Sequence, residues 1–413
     1  MQRDNHVFIR KCPSAGMAWA GKSCQYPRDD NLRARIAKSE TAGEHGNRML
    51  SFLKSWPACI AAKIVFTLFA LIFGVWASFA FWFQLPVGDA VRGSVIVVWL
   101  AFILLMVVGD WRAILRRQKL RSRRRAGLSD ESMFRRWDRT EDLRLTRIKR
   151  NRRLFFCLLV VIILAWWATI RPSLDRIWAP EVAHTVTGTV DGDKVTLYNV
   201  RDFNWRTTDD FTEHWKQETY DLNTITSVDV YLSYWSGPAI AHTLLSFGFA
   251  DGRHVVFSGE IRREHYETYS ALGGFFRKFE LAMIAAEERD IIYLRTNIRK
   301  ENVYRYRVKL PPAAAKQLFL SYVALGNELA QKPEFYNTLT TNCTTIIFKM
   351  ARVLDPSFPF DYRVVLSGYL PGYLHDHGWL ADDGPLAEVE KRAAIDARAQ
   401  AGGRDNYSAR IRQ

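Results

Sequence analysis

Cysteine is scarce in this chain. Five stand among 413 residues, at positions 12, 24, 59, 157 and 343, so everything beyond residue 157 holds a single thiol and no intrachain disulfide can staple it. The first 48 residues are polar, and no apolar core follows their charges before residue 57, which excludes a signal peptide there; Met49 offers an alternative start. No internal repeat is visible, which sets aside solenoids and propellers. His375-Asp376-His377 has no third ligand at a recognisable spacing and reads as a surface loop rather than a zinc site, and no metal or cofactor is expected. Carboxylates are few between Trp111 and Leu154, where 5 Asp or Glu face 17 Arg or Lys; this net +12 is most of the chain's +15.

Long apolar runs are abundant near the N-terminus. Pro57–Leu85, Val91–Val108 and Leu154–Ile170 each approach or exceed the roughly 17–20 residues that a helix needs to cross a bilayer. Lys63 stands near the inner end of the first run and Trp166-Trp167 close the third. The excess of cations between the second and third runs makes that segment a cytoplasmic loop by the positive-inside rule, lying on anionic lipid rather than on nucleic acid. The chain then divides into a cytoplasmic tail at 1–56, two transmembrane helices within 57–110, a basic cytoplasmic loop at 111–153, a third transmembrane helix at 154–171, a periplasmic domain at 172–385 and a C-terminal tail at 386–413. The expected location is the bacterial inner membrane, multi-pass, with the bilayer as partner.

The outer domain alternates first like strands and then like helices. Residues 185–190 and 194–198 flank Asp191-Gly192-Asp193, and 242–249 and 254–261 flank Asp251-Gly252, which predicts two hairpins. Residues 290–295 and 303–308 predict two further strands. Leu318, Tyr322, Leu325 and Leu329 recur at helical spacing within 313–330, stopped by Pro333, and a second helix is expected from Cys343 to a stop at Pro356. The fold class is α+β, a sheet followed by helices.

The lone thiol of this domain sits in a telling place. Tyr336 through Thr345 form a polar loop running into a helix, with Asn342 or Thr341 as N-cap. Cys343 then falls in the first helical turn, where the dipole and free N–H groups favour a thiolate and can hold an oxyanion. The opposing reading is an inert, buried cysteine. Among the histidines, His242 opens a strongly apolar strand, where a polar ring needs a reason to be. Ser258, Glu260 and Arg262 alternate on one face of the next strand, and one of them can orient that ring. Leu272-Gly273-Gly274-Phe275-Phe276 reads either as a turn packed on the core or as a passage for an acyl chain.

These residues also carry a resemblance. From about Val200 to Leu380 the chain resembles the Lnb N-terminal periplasmic domain family. The likeness rests on 199–203, on 241–249 with His242, on 258–264 with Ser258 and Glu260, on 287–290, on Leu294-Arg295-Thr296-Asn297, and on 335–339 with 341–345 around Asn342 and Cys343. It implies a Cys/His acyl-transfer site mapping onto Cys343 and His242, with Ser258, Glu260 and Asn342 in support, and a lipoprotein or acyl lipid as substrate. The order of His before Cys implies a permuted papain-like sheet-plus-helices domain of the NlpC type. Three spans precede the domain here, whereas no helical membrane region follows it, a departure that bears on the substrate. Two other readings stay open on the residues alone: a peptidoglycan amidase or peptidase, and a catalytically inactive membrane-tethered binding or scaffold domain.

Overall fold

The computed structural model describes residues 61–125 and 131–413. The expectations for the tail at 1–56, Met49, the start of the first span at Pro57, Cys12, Cys24, Cys59 and the middle of the basic segment lie outside the described residues. The chain divides into two compact units, Met1–Phe69 and Ala70–Gln413; the described part of the first is helical.

Three helices are long and apolar enough to cross a membrane: α1 (Ala61–Gln84), the Asp89–Gly109 part of α2 (Asp89–Arg125) and the Thr146–Thr169 part of α3 (Glu131–Thr169). Pro86 cannot continue α1, and Asp89 opens α2 with its carboxylate 3.0 Å from Arg92. Within the second unit these helices meet through rings and close backbone approach. Trp99 Nε1 donates to the Gly74 carbonyl at 3.0 Å, and a Cβ at Gly74 would sit 3.3 Å from Ile103. The basic segment expected as a loop is instead mostly helical, the continuation of α2 and α3. Arg, Lys, Leu and Glu are good helix formers, and the segment holds no proline.

The outer domain is built on a twisted sheet of eight strands. Its strands are β1 (Thr187–Asp191), β2 (Lys194–Arg201), β5 (Trp215–Asp221), β6 (Ile225–Tyr234), β7 (His242–Phe249), β8 (His254–Arg262), β9 (Glu280–Glu287) and β10 (Asn302–Arg307). The order is β1-β2-β9-β8-β7-β6-β10, with β5 also paired to β2; every pairing is antiparallel except β2 with β9. A small ribbon of β3 (Asn204–Trp205) and β4 (Phe211–Thr212) stands apart. Both expected hairpins form, and Gly192 and Gly252 take the left-handed φ that their tight turns require.

The central strands are buried on both faces, so β7 is buried along nearly its whole length and shows no inside–outside alternation of exposure. On one face Leu245, Phe247, Phe257 and Met283 pack against α6 (Pro312–Gln331), α7 (Cys343–Leu354) and α8 (Leu370–Asp376). On the other, Leu244, Val256 and Ile284 meet α5 (Glu288–Tyr293) and the C-terminal helices α10 (Asp396–Gln400) and α11 (Tyr407–Arg410). A further helix, α9 (Leu386–Ala393), precedes them.

Two expectations change here. Residues 290–295 are not a strand: they form α5 and a π turn at Leu294–Ile298. A short apolar run suits a buried helix as well as a strand, and Glu288 and Asp290 in its first turn favour the helix. The segment after Pro385, expected as a tail, packs into the core through Ile395, Ala399, Tyr407 and Ile411. Arg412 then reaches the buried carboxylates of Glu288 and Asp229, at 2.6 and 3.1 Å.

Candidate active site

The ladder between β7 and β8 stops at Leu245 and Phe257. Continued, the same register would set Thr243 against Gly259 and His242 against Glu260. The start of α7 occupies the place where the strands part. A Cβ at Gly259 would lie 2.6 Å from Ile346 Cδ1 and 3.7 Å from the Cys343 Cα, so the start of α7 packs directly on β8 here and any larger residue displaces the Ile346 side chain. Thr243 and Thr344 share a hydroxyl hydrogen bond of 2.8 Å that fastens α7 to β7.

Asn342 caps α7. Its Oδ1 accepts from the N–H groups of Thr344 and Thr345 at 3.0 and 2.9 Å, Thr345 Oγ1 accepts from the Asn342 N–H, and the Asn342 amide donates to the Thr338 carbonyl at 2.7 Å. Its side chain is thus spent on holding the loop and the helix together. Of the first helical N–H groups, that of Cys343 itself has no protein partner among the described residues.

Cys343 is buried, and the His242 side chain retains 15% exposure. Cys343 Sγ lies 3.8 Å from Thr344 Oγ1, and His242 is the charged group that acts most strongly on the thiol. His242 Nε2 is 2.8 Å from Ser258 Oγ and 3.0 Å from Glu260 Oε1. That same carboxylate oxygen accepts from Ser258 Oγ at 2.8 Å and from Arg295 Nη2 at 3.0 Å.

Burial opposes charge on every one of these groups, and their mutual attraction prevails. Burial lowers the basicity of the imidazole, but the Glu260 carboxylate and the Cys343 sulfur lift His242 to about 9. Burial raises the Glu260 carboxyl, yet His242 and Arg295 hold it well below the usual carboxylate range. Burial likewise pushes the Cys343 thiol up, and the His242 cation more than reverses this, leaving it below its ordinary value. Each of the three groups is thus drawn toward its charged form by the other two, the thiol toward thiolate, the imidazole toward imidazolium and the carboxyl toward carboxylate.

A cavity of about 610 Å³ opens over this cluster. Its walls include Trp235, Ile240, Tyr269, Tyr336, Thr338 and Arg299. Behind it lies a second layer of fixed charge: Asp290, fully buried, receives Arg201 at 2.9 and 3.1 Å, the Trp205 indole N–H at 2.7 Å and the Phe203 N–H at 2.8 Å.

The structure brings together Cys343, His242, Ser258, Glu260 and Asn342. Arg262, on the same strand face, turns away to the Val182 and Ala183 carbonyls. Three of the other histidines are engaged elsewhere: His254 with the Gly252 carbonyl, His375 with that of Gly384 and His377 with that of Tyr373. Sequence reasoning gave no role to Arg295, Gly259 or Thr243. Arg295 lay inside a quoted motif, but only the π turn brings its guanidinium to Glu260.

The sequence around these residues matches a known family model over 211–368. The model is that of the Lnb N-terminal periplasmic domain. The matched stretch holds the whole Cys343–His242–Glu260–Arg295 cluster and is narrower than the 200–380 of the resemblance; it leaves the membrane helices, β1, β2 and the C-terminal helices outside. No curated protein and no solved structure gives a significant match. The three apolar helices and this match support a membrane protein with a periplasmic domain.

Proposed function

We propose that this protein is a multi-pass inner-membrane thiol acyltransferase or hydrolase. Its periplasmic site takes the acyl group of a lipid or lipoprotein ester onto Cys343. The observation that carries this reading is that Cys343, in the first turn of α7, and His242, its ring held by Glu260 and Ser258, line one cavity. A structural cysteine has no use for an imidazolium held by a carboxylate, a serine and, through that carboxylate, an arginine. The packing of the thiol-bearing α7 against β7 and β8 also supports a permuted papain-like arrangement.

In the first half-reaction the Cys343 thiolate attacks the ester carbonyl, and the carbonyl electrons move to oxygen. The Cys343 N–H, left free by the Asn342 cap, is placed to donate to that oxyanion. Collapse breaks the ester C–O bond, and the imidazolium gives its proton to the departing alkoxide, leaving a thioester and neutral His242. In the second half an amine or water attacks the thioester, His242 takes the proton of the nucleophile, and the thiolate leaves. Glu260 and Ser258 keep Nε2 engaged throughout, so the other ring nitrogen is the one that serves the sulfur. Arg295 fixes Glu260.

The test is to trap the thioester. Membranes holding the full-length protein are given a diacylglyceryl lipopeptide with a clickable acyl chain, then treated with or without hydroxylamine. Hydroxylamine-sensitive label on Cys343, absent from Cys343→Ala, supports the reading. A reactive thiol that never acquires the acyl group, with release of products from muropeptides instead, points to an amidase.

A further inference from the structure

The site lies at one particular end of the sheet. His242 begins β7, Glu260 is near the end of β8, and Glu280 begins β9. The chain emerging from α3 is tied to that same end: the Ser173 N–H donates to Glu280 at 3.1 Å, and Arg176 bridges Glu264 and Glu280 at 2.7 and 3.0 Å. The opposite end, at the Asp251-Gly252 turn, is roughly 26 Å away along β8.

A short helix, α4 (Ala271–Phe275), makes the join tighter. Phe276 stacks on Phe83 at 5.8 Å and lies against Phe79 at 5.4 Å and Trp167 at 6.3 Å. Gln84 donates to the Phe276 carbonyl at 2.7 Å. Arg277 donates to the carbonyls of Trp167 and Ile170, at 2.8 and 3.2 Å, and lies over the Trp167 ring. Phe79 stands five residues before the end of α1, about 7.5 Å down its axis. α1 is about 36 Å long against a hydrocarbon core of about 30 Å, so contact with Phe79 takes Phe276 to the edge of the hydrocarbon. Beside it Leu272, Phe275 and Leu339 are exposed, 52%, 41% and 50%. Leu339 belongs to the Asn337–Thr341 turn, which Thr338 ties to the Ala271 carbonyl at 2.8 Å. Tyr269 and Thr338, on either side, line the cavity.

We propose that α4 and the turn at 337–341 lie within the interfacial layer of the leaflet on the domain's side, with lipid as the partner of Leu272, Phe275 and Leu339. The cavity mouth between Tyr269 and Thr338 opens at that level, so that an acyl ester reaches Cys343 without leaving the bilayer. The second half rests on the function proposed above; the first does not. Three large apolar side chains facing water gain nothing, whereas each stabilises the docked state when it enters lipid.

The test uses the full chain with its native cysteines replaced by Ala or Ser and one new cysteine, Leu272→Cys, Leu339→Cys or, as the distant reference, Asp251→Cys. Each is labelled with bimane and placed in phosphatidylcholine nanodiscs with or without acyl-brominated lipid. The expected result is severalfold stronger bromine quenching at 272 and 339 than at 251. Equal, weak quenching at all three positions overturns the inference, whatever Cys343 proves to do. Strong quenching with an inert Cys343 in the native chain keeps the surface and removes the enzyme. All three substituted positions are exposed, and circular dichroism of each variant checks that the fold is kept.

Discussion

His242 Nε2 stands 3.0 Å from Glu260 Oε1 at the point where the β7–β8 ladder has ended and the start of α7 packs against both strands. The pair is thus cross-strand in register but free of the ladder. Glu260 spends one oxygen on three donors, His242, Ser258 and Arg295, and its charge fixes the protonation of the site.

Glu260→Gln removes the charge that lifts His242. The imidazole loses its proton at lower pH and ceases to hold the thiolate. The alkylation rate of Cys343 at pH 7 is expected to fall about tenfold for each unit that its pKa rises. Measured by iodoacetamide labelling and mass spectrometry, an unchanged rate would mean that Glu260 does not set the ion pair.

The same pair predicts a pH window for stability. A base raised from 6.5 to about 9 stabilises the fold in full below 6.5 and loses that contribution as pH rises through about 9. A carboxyl lowered from 4.5 contributes above 4.5 and loses it on acidification. The difference in melting temperature between wild type and Glu260→Gln should therefore be largest between pH 4.5 and 6.5 and shrink as pH rises through about 9, down to what the Arg295 and Ser258 contacts of Glu260 still contribute. Differential scanning fluorimetry in detergent across this range reads it, and a constant difference would contradict the assignment.

Gly259→Ala places a methyl 2.6 Å from Ile346 Cδ1 and drives α7 away from β8. A cost of about 1–3 kcal/mol and a loss of thiol reactivity are expected. The double variant Gly259→Ala with Ile346→Val removes the clashing methyl and should recover both, as read by denaturation and alkylation together.

Asp290→Asn leaves the Arg201 guanidinium, 3% exposed, without its counter-charge. Breaking a buried pair from one side costs about 3–5 kcal/mol, so the melting temperature should drop markedly while Cys343 in the surviving folded fraction keeps its reactivity. Asn342→Ala, by contrast, loses an N-cap, about 1 kcal/mol, because its side-chain hydrogen bonds go to the loop and the helix.

The two hairpins were legible because Asp-Gly turns between apolar runs leave little choice, and α6 because four apolar residues keep helical spacing. Cys343 and His242 stood out because each is a misfit, the one an unpaired thiol beyond the spans and the other a ring opening an apolar strand. Residues 290–295 were not legible, since Ile291-Ile292 suits either a buried strand or a buried helix; β9, buried on both faces, shows no alternation to mark it. The C-terminal helices hide their core residues among Ala and Arg. Arg295 and Gly259 act through partners far along the chain, and spacing alone carries no record of such contacts.

The central claim is the His-held thiolate. Labelling of Cys343 by a thiol-alkylating probe, in membranes across pH 5 to 9, compares wild type with His242→Ala. The account predicts fast labelling of the wild type already at low pH and slow labelling of His242→Ala until pH rises, because burial alone then acts on the thiol. Labelling of the wild type only after unfolding, or equal profiles for the two proteins, would contradict it.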